Sequence, residues 1–197
     1  MGMSSSRRYG SQEITLTTTS KASDWQVYII ASFKRIKWRV YSDVFWMGST
    51  NGLLSYNAPI FDFSQNTSEA AIKIASSEGL TTFCSNRNTS TRTRSITSID
   101  VSKAIDLSKL ILGFELLKEI DVSNNLKMKE LLVSDNNLKV LDVSKNTMLS
   151  FLRTERNPSL TNIYVNATQL DRLNGVAPKP SGWYWKKPPT ATYVLKQ

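Results

Sequence analysis

The chain has 197 residues, a net charge of +9, one cysteine and no histidine. That composition excludes an intramolecular disulfide, a His-ligated metal and a Ser-His or Cys-His nucleophilic site. The length allows one large domain or two small ones, and the positive charge is spread over both halves rather than gathered in a basic arm.

Residues 1–12 lack the apolar run of a signal peptide. Met1-Gly2 followed by Ser6 fits a myristoylation pattern, and a trimmed, cloned start is the simpler reading; the segment is taken as disordered or cloning-derived. Residues 13–79 read as an antiparallel β unit. Apolar and polar residues alternate along Ile14–Thr17, Trp25–Ile29, Arg35–Tyr41, Ile60–Phe63 and Ala71–Ile74. Turn signals separate the runs at Ser23-Asp24, Ser49–Gly52, Asn57–Pro59 and Gln65–Thr67. The most cationic cluster, Lys34-Arg35-x-Lys37-Trp38-Arg39, raises nucleic-acid binding; the alternation of Ile36, Trp38 and Val40 favours a strand with its charges in water. Cys84 reads as a small core or near-core residue, and the polar run 85–95 as an exposed loop.

From residue 99 the sequence repeats. Ile99-Asp-Val-Ser102, Ile120-Asp-Val-Ser123 and Leu141-Asp-Val-Ser144 stand 21 positions apart, and Ile163–Asn166 follows after 22. Between them, Met128-x-x-Leu131-x-Val133-x-x-Asn136-x-Leu138 fits the leucine-rich-repeat core at every fixed position. The copy before it has Glu115 where Asn is expected, and the copy after it, ending at Asn157, has Thr154 in place of the third apolar residue. Leu80-x-x-Phe83 is a degenerate earlier turn. The expected fold is therefore a β-rich, right-handed leucine-rich-repeat solenoid of 21-residue repeats over 80–175, with the N-terminal antiparallel β unit covering its open end.

In each repeat the strand buries alternate residues, so Leu131 and Val133 point inward and Leu132 and Ser134 outward. Asn136 and Asn157 suit the following bend, since an amide both donates to and accepts from backbone groups without ladder partners. Asp100, Asp121 and Asp142 form a column; one carboxylate per repeat is too few oxygens for calcium, which favours local turn bonding over a metal site. The tail 176–197 is rich in proline and carries Trp183-Tyr184-Trp185, either a sugar platform or a cap on the last core layer, with Tyr193–Leu195 as a terminal strand.

Leu138–Leu149 and Leu160–Gly175 resemble the leucine-rich-repeat surface proteins of Bacteroides and their relatives, akin to internalin-like and BspA-like adhesins. The opening Glu13-Ile-Thr-Leu-Thr-Thr-Thr is similar to the β region that precedes the repeats in such proteins. The resemblance implies an exported, extracellular or surface-attached protein whose native signal sequence is missing here, acting in adhesion. The function expected is a non-enzymatic protein-binding module that engages a host or neighbouring-cell surface component through its concave strand face. The outward residues named for that face are Lys109, Ile111, Glu130, Leu132, Phe151, Arg153 and Glu155. Alternatives are cell-envelope glycan binding through Trp183, Tyr184 and Trp185, or a structural spacer. No cofactor, metal, specific nucleic acid or membrane span is expected.

Overall fold

The computed structural model describes residues 12–23, 25–31, 36–41, 61–76, 79–85 and 94–197. The Lys34-Arg35 end of the cationic cluster, the side chains of its strand, most of the 85–95 insertion and the turn signals at 49–52 and 57–59 lie outside the described residues.

In chain order the strands are β1 (Gln12–Thr18), β2 (Tyr28–Ala31), β3 (Ile36–Tyr41), β4 (Ala70–Ser76), β5 (Leu80–Cys84), β6 (Ile96–Asp100) and β7 (Lys109–Ile111). They continue with β8 (Glu130–Leu132), β9 (Val140–Asp142), β10 (Phe151–Arg153) and β11 (Asn162–Val165). One helix, α1 (Ala167–Leu173), precedes β12 (Tyr184–Lys186) and β13 (Thr192–Leu195).

These strands form three sheets, ordered β3-β4-β1-β6, β12-β10-β8-β7-β5-β2 and β13-β11-β9. The first is antiparallel throughout. In the second, β5, β7, β8, β10 and β12 run parallel and β2 joins antiparallel at the far edge. The third is parallel.

This β-rich, three-sheet architecture corrects the expectation of a right-handed leucine-rich-repeat solenoid capped by an N-terminal antiparallel β unit. The physical reason lies in the tetrapeptide series. Its first member begins in β6, which pairs antiparallel with β1, matching Leu16 to Ile99 and Thr15 to Asp100. Its second member, Ile120–Ser123, belongs to no strand. Its third joins β11 instead, where Ile163 pairs with Leu141. Strands that share a repeat motif are thus divided between an antiparallel and a parallel sheet, with a non-strand segment between them. The longer β1, strictly alternating in burial, gives β6 a better ladder than a four-residue turn segment would.

The core follows from the alternation. Ile14 and Leu16 of β1 and Ile72 and Ile74 of β4 are fully buried, while Thr15 is exposed. Leu110, Leu131 and Leu152 pair across β7, β8 and β10 with no exposure, each worth about 1.5–3 kcal/mol of burial. At the other end Trp25, Phe61 and Phe63 pack with ring centroids 5.5–6.0 Å apart. The Trp25 indole N–H donates to Ser95 Oγ at 3.3 Å, tying this aromatic cluster to the repeat region. Gly79 is required by close approach: a Cβ there would stand 2.5 Å from Asp106 Oδ2, the atom that accepts from Gln12 Nε2 at 2.6 Å.

Candidate functional site

Across β7, β8 and β10 the six-stranded sheet buries one side and leaves the other partly exposed, and its register decides which side chains meet. Lys109, Glu130, Phe151 and Tyr184 align in one column; Ile111, Leu132, Arg153 and Lys186 align in the next. The first six sequence-named residues are therefore neighbours, each partly exposed. Lys109 and Glu130 form an ion pair at 2.5 Å. Phe151 stacks on Tyr184 with centroids 5.0 Å apart and planes 20° apart, and the Lys186 ammonium lies 5.3 Å from the Tyr184 centroid. Arg153 Nε donates to Glu155 at 3.2 Å. The result is a centre of Ile111, Leu132, Phe151 and Tyr184 bounded by Lys109–Glu130 on one side and Arg153–Glu155 and Lys186 on the other.

Two ladders of amide side chains tie successive repeats together, and the first lies at the ends of the strands of this face. Asn136 is 1% exposed; its Oδ1 accepts from Leu117 N, and its Nδ2 donates to Leu112 O at 2.7 Å and to the Val133 and Ser134 carbonyls. Asn157 repeats the pattern with Leu138 N, Val133 O and Thr154 O. Glu115, in the same column, keeps the accepting half: Oε2 takes the N–H groups of Ser95 and Ile96 at 3.1 and 2.9 Å. Burial pushes its carboxyl above the usual range, against the pull of those hydrogen bonds. Thr154, the apparent gap in the apolar pattern, is fully buried and donates through Oγ1 to Lys186 O at 3.1 Å, so the hydroxyl anchors β12.

The second ladder was not singled out in the sequence. Asn125 Nδ2 donates to Val101 O and Ala104 O; Asn146 Nδ2 to Val122 O and Asn125 O; Gln169 Nε2 to Val143 O and Asn146 O. The 21-residue spacing of Asn125 and Asn146 was the available signal. Gln169 takes over at the next step because it sits on α1, where it also completes a capping box with Asn166.

Asp100, Asp121 and Asp142 each accept from the backbone N–H of the Ser two residues on, at 2.8, 2.8 and 3.0 Å. Burial raises the Asp142 carboxyl, but Ser144 and the Lys196 ammonium 3.0 Å away outweigh it and hold it below the ordinary value. Among the described residues no group of three or more His, Cys, Asp or Glu could hold a metal ion. No helix among them is long and apolar enough to cross a membrane.

The three tail aromatics do not share a surface. Trp183 stacks on Trp185 at 4.6 Å, and Trp185 packs toward the core beside Tyr193, while Tyr184 joins Phe151 on the opposite face. Strand alternation enforces this separation. Beyond the outward columns lies a ridge of turn residues: Phe114, Asp135 and Arg156 all have positive φ, at 69°, 59° and 56°. Arg156 holds Asp135 through two bonds of 2.5 and 2.6 Å, which lowers that carboxyl, with Arg94 and Arg153 adding to the effect. Compared with protein-family models, with curated proteins and with solved structures, the chain matches none.

Proposed function

We propose that the water-facing side of the six-stranded sheet is a protein-binding surface, and that the chain is a non-enzymatic, adhesin-like binding module of an exported bacterial protein. The observation that carries this reading is the apolar centre of Ile111, Leu132 and the Phe151–Tyr184 stack, partly exposed and bounded by ion pairs. An apolar middle with a charged rim, anchored by aromatic and Arg side chains, is the anatomy of a protein interface. The Asn136 and Asn157 amides, which bond the backbone just past β7, β8 and β10, limit the conformational freedom a partner would have to freeze out. Binding in place of catalysis is supported by the composition, which has no histidine. The placement at the cell surface rests on the family resemblance of the repeat and tail segments.

The test is capture of a partner from host and bacterial surface fractions by the intact chain and by Leu132→Ser and Phe151→Ala. Both variants are expected to lose capture with little change in melting temperature, since both side chains are partly exposed. Capture that survives both substitutions would overturn the proposal, as would a loss of stability on the scale of a core aromatic, about 3–5 kcal/mol, for Phe151→Ala.

A further inference from the structure

The turn ridge beside this face is built from residues its backbone disfavours. Positive φ is free for glycine and tolerable for Asp, but strained for a bulky residue. The conformation itself has a structural origin. Phe114 N–H donates to Ser134 O and Asp135 N–H to Glu155 O, both at 2.9 Å, so each turn is stitched to the next repeat. Glycine would serve that purpose. Phe and Arg instead occupy two of the three positions, and Phe114 is 37% exposed. The Arg94 guanidinium lies 4.6 Å from its centroid. An aromatic ring and an Arg side chain held in water at a cost in backbone strain point to recognition.

The charges say of what. Lys109, Arg153 and Arg156 have carboxylate partners in Glu130, Glu155 and Asp135. Arg94 and Lys186 sit over the rings of Phe114 and Tyr184, and Arg94 also acts on the carboxyls of Asp135 and Glu115 without an ion pair to either. Glu115, the remaining nearby carboxyl, is buried against backbone N–H groups. The surface from Phe114 to Tyr184 therefore carries excess positive charge interleaved with apolar and aromatic side chains.

We propose that this ridge and the adjoining sheet face together take an acidic polypeptide segment, its carboxylates meeting Arg94 and Lys186 and its apolar side chains meeting Phe114, Leu132 and Phe151. The inference rests on the protein-binding reading above and names the chemistry of the partner. A polypeptide supplies carboxylates and apolar groups together, matching columns that each mix charged with apolar or aromatic side chains; a sulfated polysaccharide supplies only the charge.

The test uses the full chain and fluorescein-labelled synthetic peptides containing Glu, Leu and Tyr, with Gln and Lys counterparts of the same length, read by anisotropy. Dextran sulfate and a DNA duplex serve as competitors. The Glu peptide is expected to bind roughly tenfold tighter than its Gln counterpart, in a salt-dependent way. Arg94→Gln, Lys186→Gln and Phe114→Gly should each weaken it severalfold. Phe114→Gly should hold or raise the melting temperature, because glycine relieves the positive φ. Equal affinity for the Glu and Gln peptides would overturn the inference. So would competition by dextran sulfate or DNA together with indifference to Phe114→Gly, which would mark simple polyanion attraction. If the ridge variants are silent while Leu132→Ser and Phe151→Ala still abolish partner capture, the acidic-segment inference fails and the binding face stands.

Discussion

Asn136→Asp replaces one oxygen-nitrogen pair by two oxygens with almost no change in shape, so it isolates the hydrogen bonding of the buried amide. The accepting bond from Leu117 N at 3.0 Å survives. The other end now sets a carboxylate oxygen against the carbonyls of Leu112, Val133 and Ser134, which lie 2.7, 3.2 and 3.1 Å from the present Nδ2. The carbonyls of Val133 and Ser134 keep donors in Asn157 Nδ2 and Phe114 N–H, so Leu112 O is the group left orphaned. For one orphaned buried group the loss is about 1–3 kcal/mol, to which the carboxylate's repulsion from the facing carbonyls adds. Against a typical domain stability of about 5–15 kcal/mol this is a large fraction. The carboxyl should also titrate well above its usual value, since burial and the facing carbonyls both oppose ionisation. Stability of the variant should therefore fall as pH rises through that raised value and recover partly at acid pH, where one O–H can donate. Urea denaturation at several pH values measures this, with the exposed Asn137→Asp as a control expected to stay within about 0.5 kcal/mol of the parent. If Asn136→Asp lies within about 1 kcal/mol of the parent at neutral pH, the ladder is ornamental and the reasoning fails.

Glu115→Gln should stabilise the protein at neutral pH, because it keeps the bonds to Ser95 and Ile96 and removes a buried charge. With its folded value raised, the parent loses stability as pH rises from the ordinary carboxylate range through that value. The Gln variant should show a flatter profile in pH-dependent melting. Glu13 gives the opposite sign: hydrogen bonds from Lys73 and Lys103 lower it to about 2, so its contribution is present above the ordinary value of 4.5 and lost as pH falls toward 2. Acid titration of Glu13→Gln should lack that loss, and an unchanged acid limb would refute the assignment. Millimolar calcium should leave the melting temperature unchanged; true ligation would add about 2.7 kcal/mol at a hundredfold excess over Kd and be lost in Asp121→Asn.

The period was legible because repetition writes itself twice, in the leucines and in the tetrapeptides. It told which side chains share a strand face, since a fixed step of 21 fixes the columns. It did not tell which strands share a sheet. Ile99, Ile120 and Leu141 occupy the same place in the motif, yet only the first and third lie in or beside ladders of their own, and those ladders run in different directions. That choice depends on β1, a partner far away in sequence. Helix α1 is signalled by Asn166-x-x-Gln169, but a single short capping box weighs little beside a long repeat. The place of Tyr184 on the outward face depended on β12 pairing with β10, which a proline-rich tail gives little reason to expect.

The amide ladders also give the chain a direction in time. Leu117 N is closed by Asn136, Leu138 N by Asn157, and the carbonyls of Val101 and Val122 by Asn125 and Asn146. In every case the side chain that finishes a turn lies one repeat later. During synthesis, each turn emerges from the ribosome with its backbone groups still open and is completed only when the following repeat arrives. Maturation would then travel one step behind the growing end, with Thr154 waiting for Lys186. Pulse-labelled amide exchange on stalled nascent chains of increasing length would show Leu117 gaining protection only after Asn136 has cleared the exit tunnel; protection before that point would break the link between ladder and order.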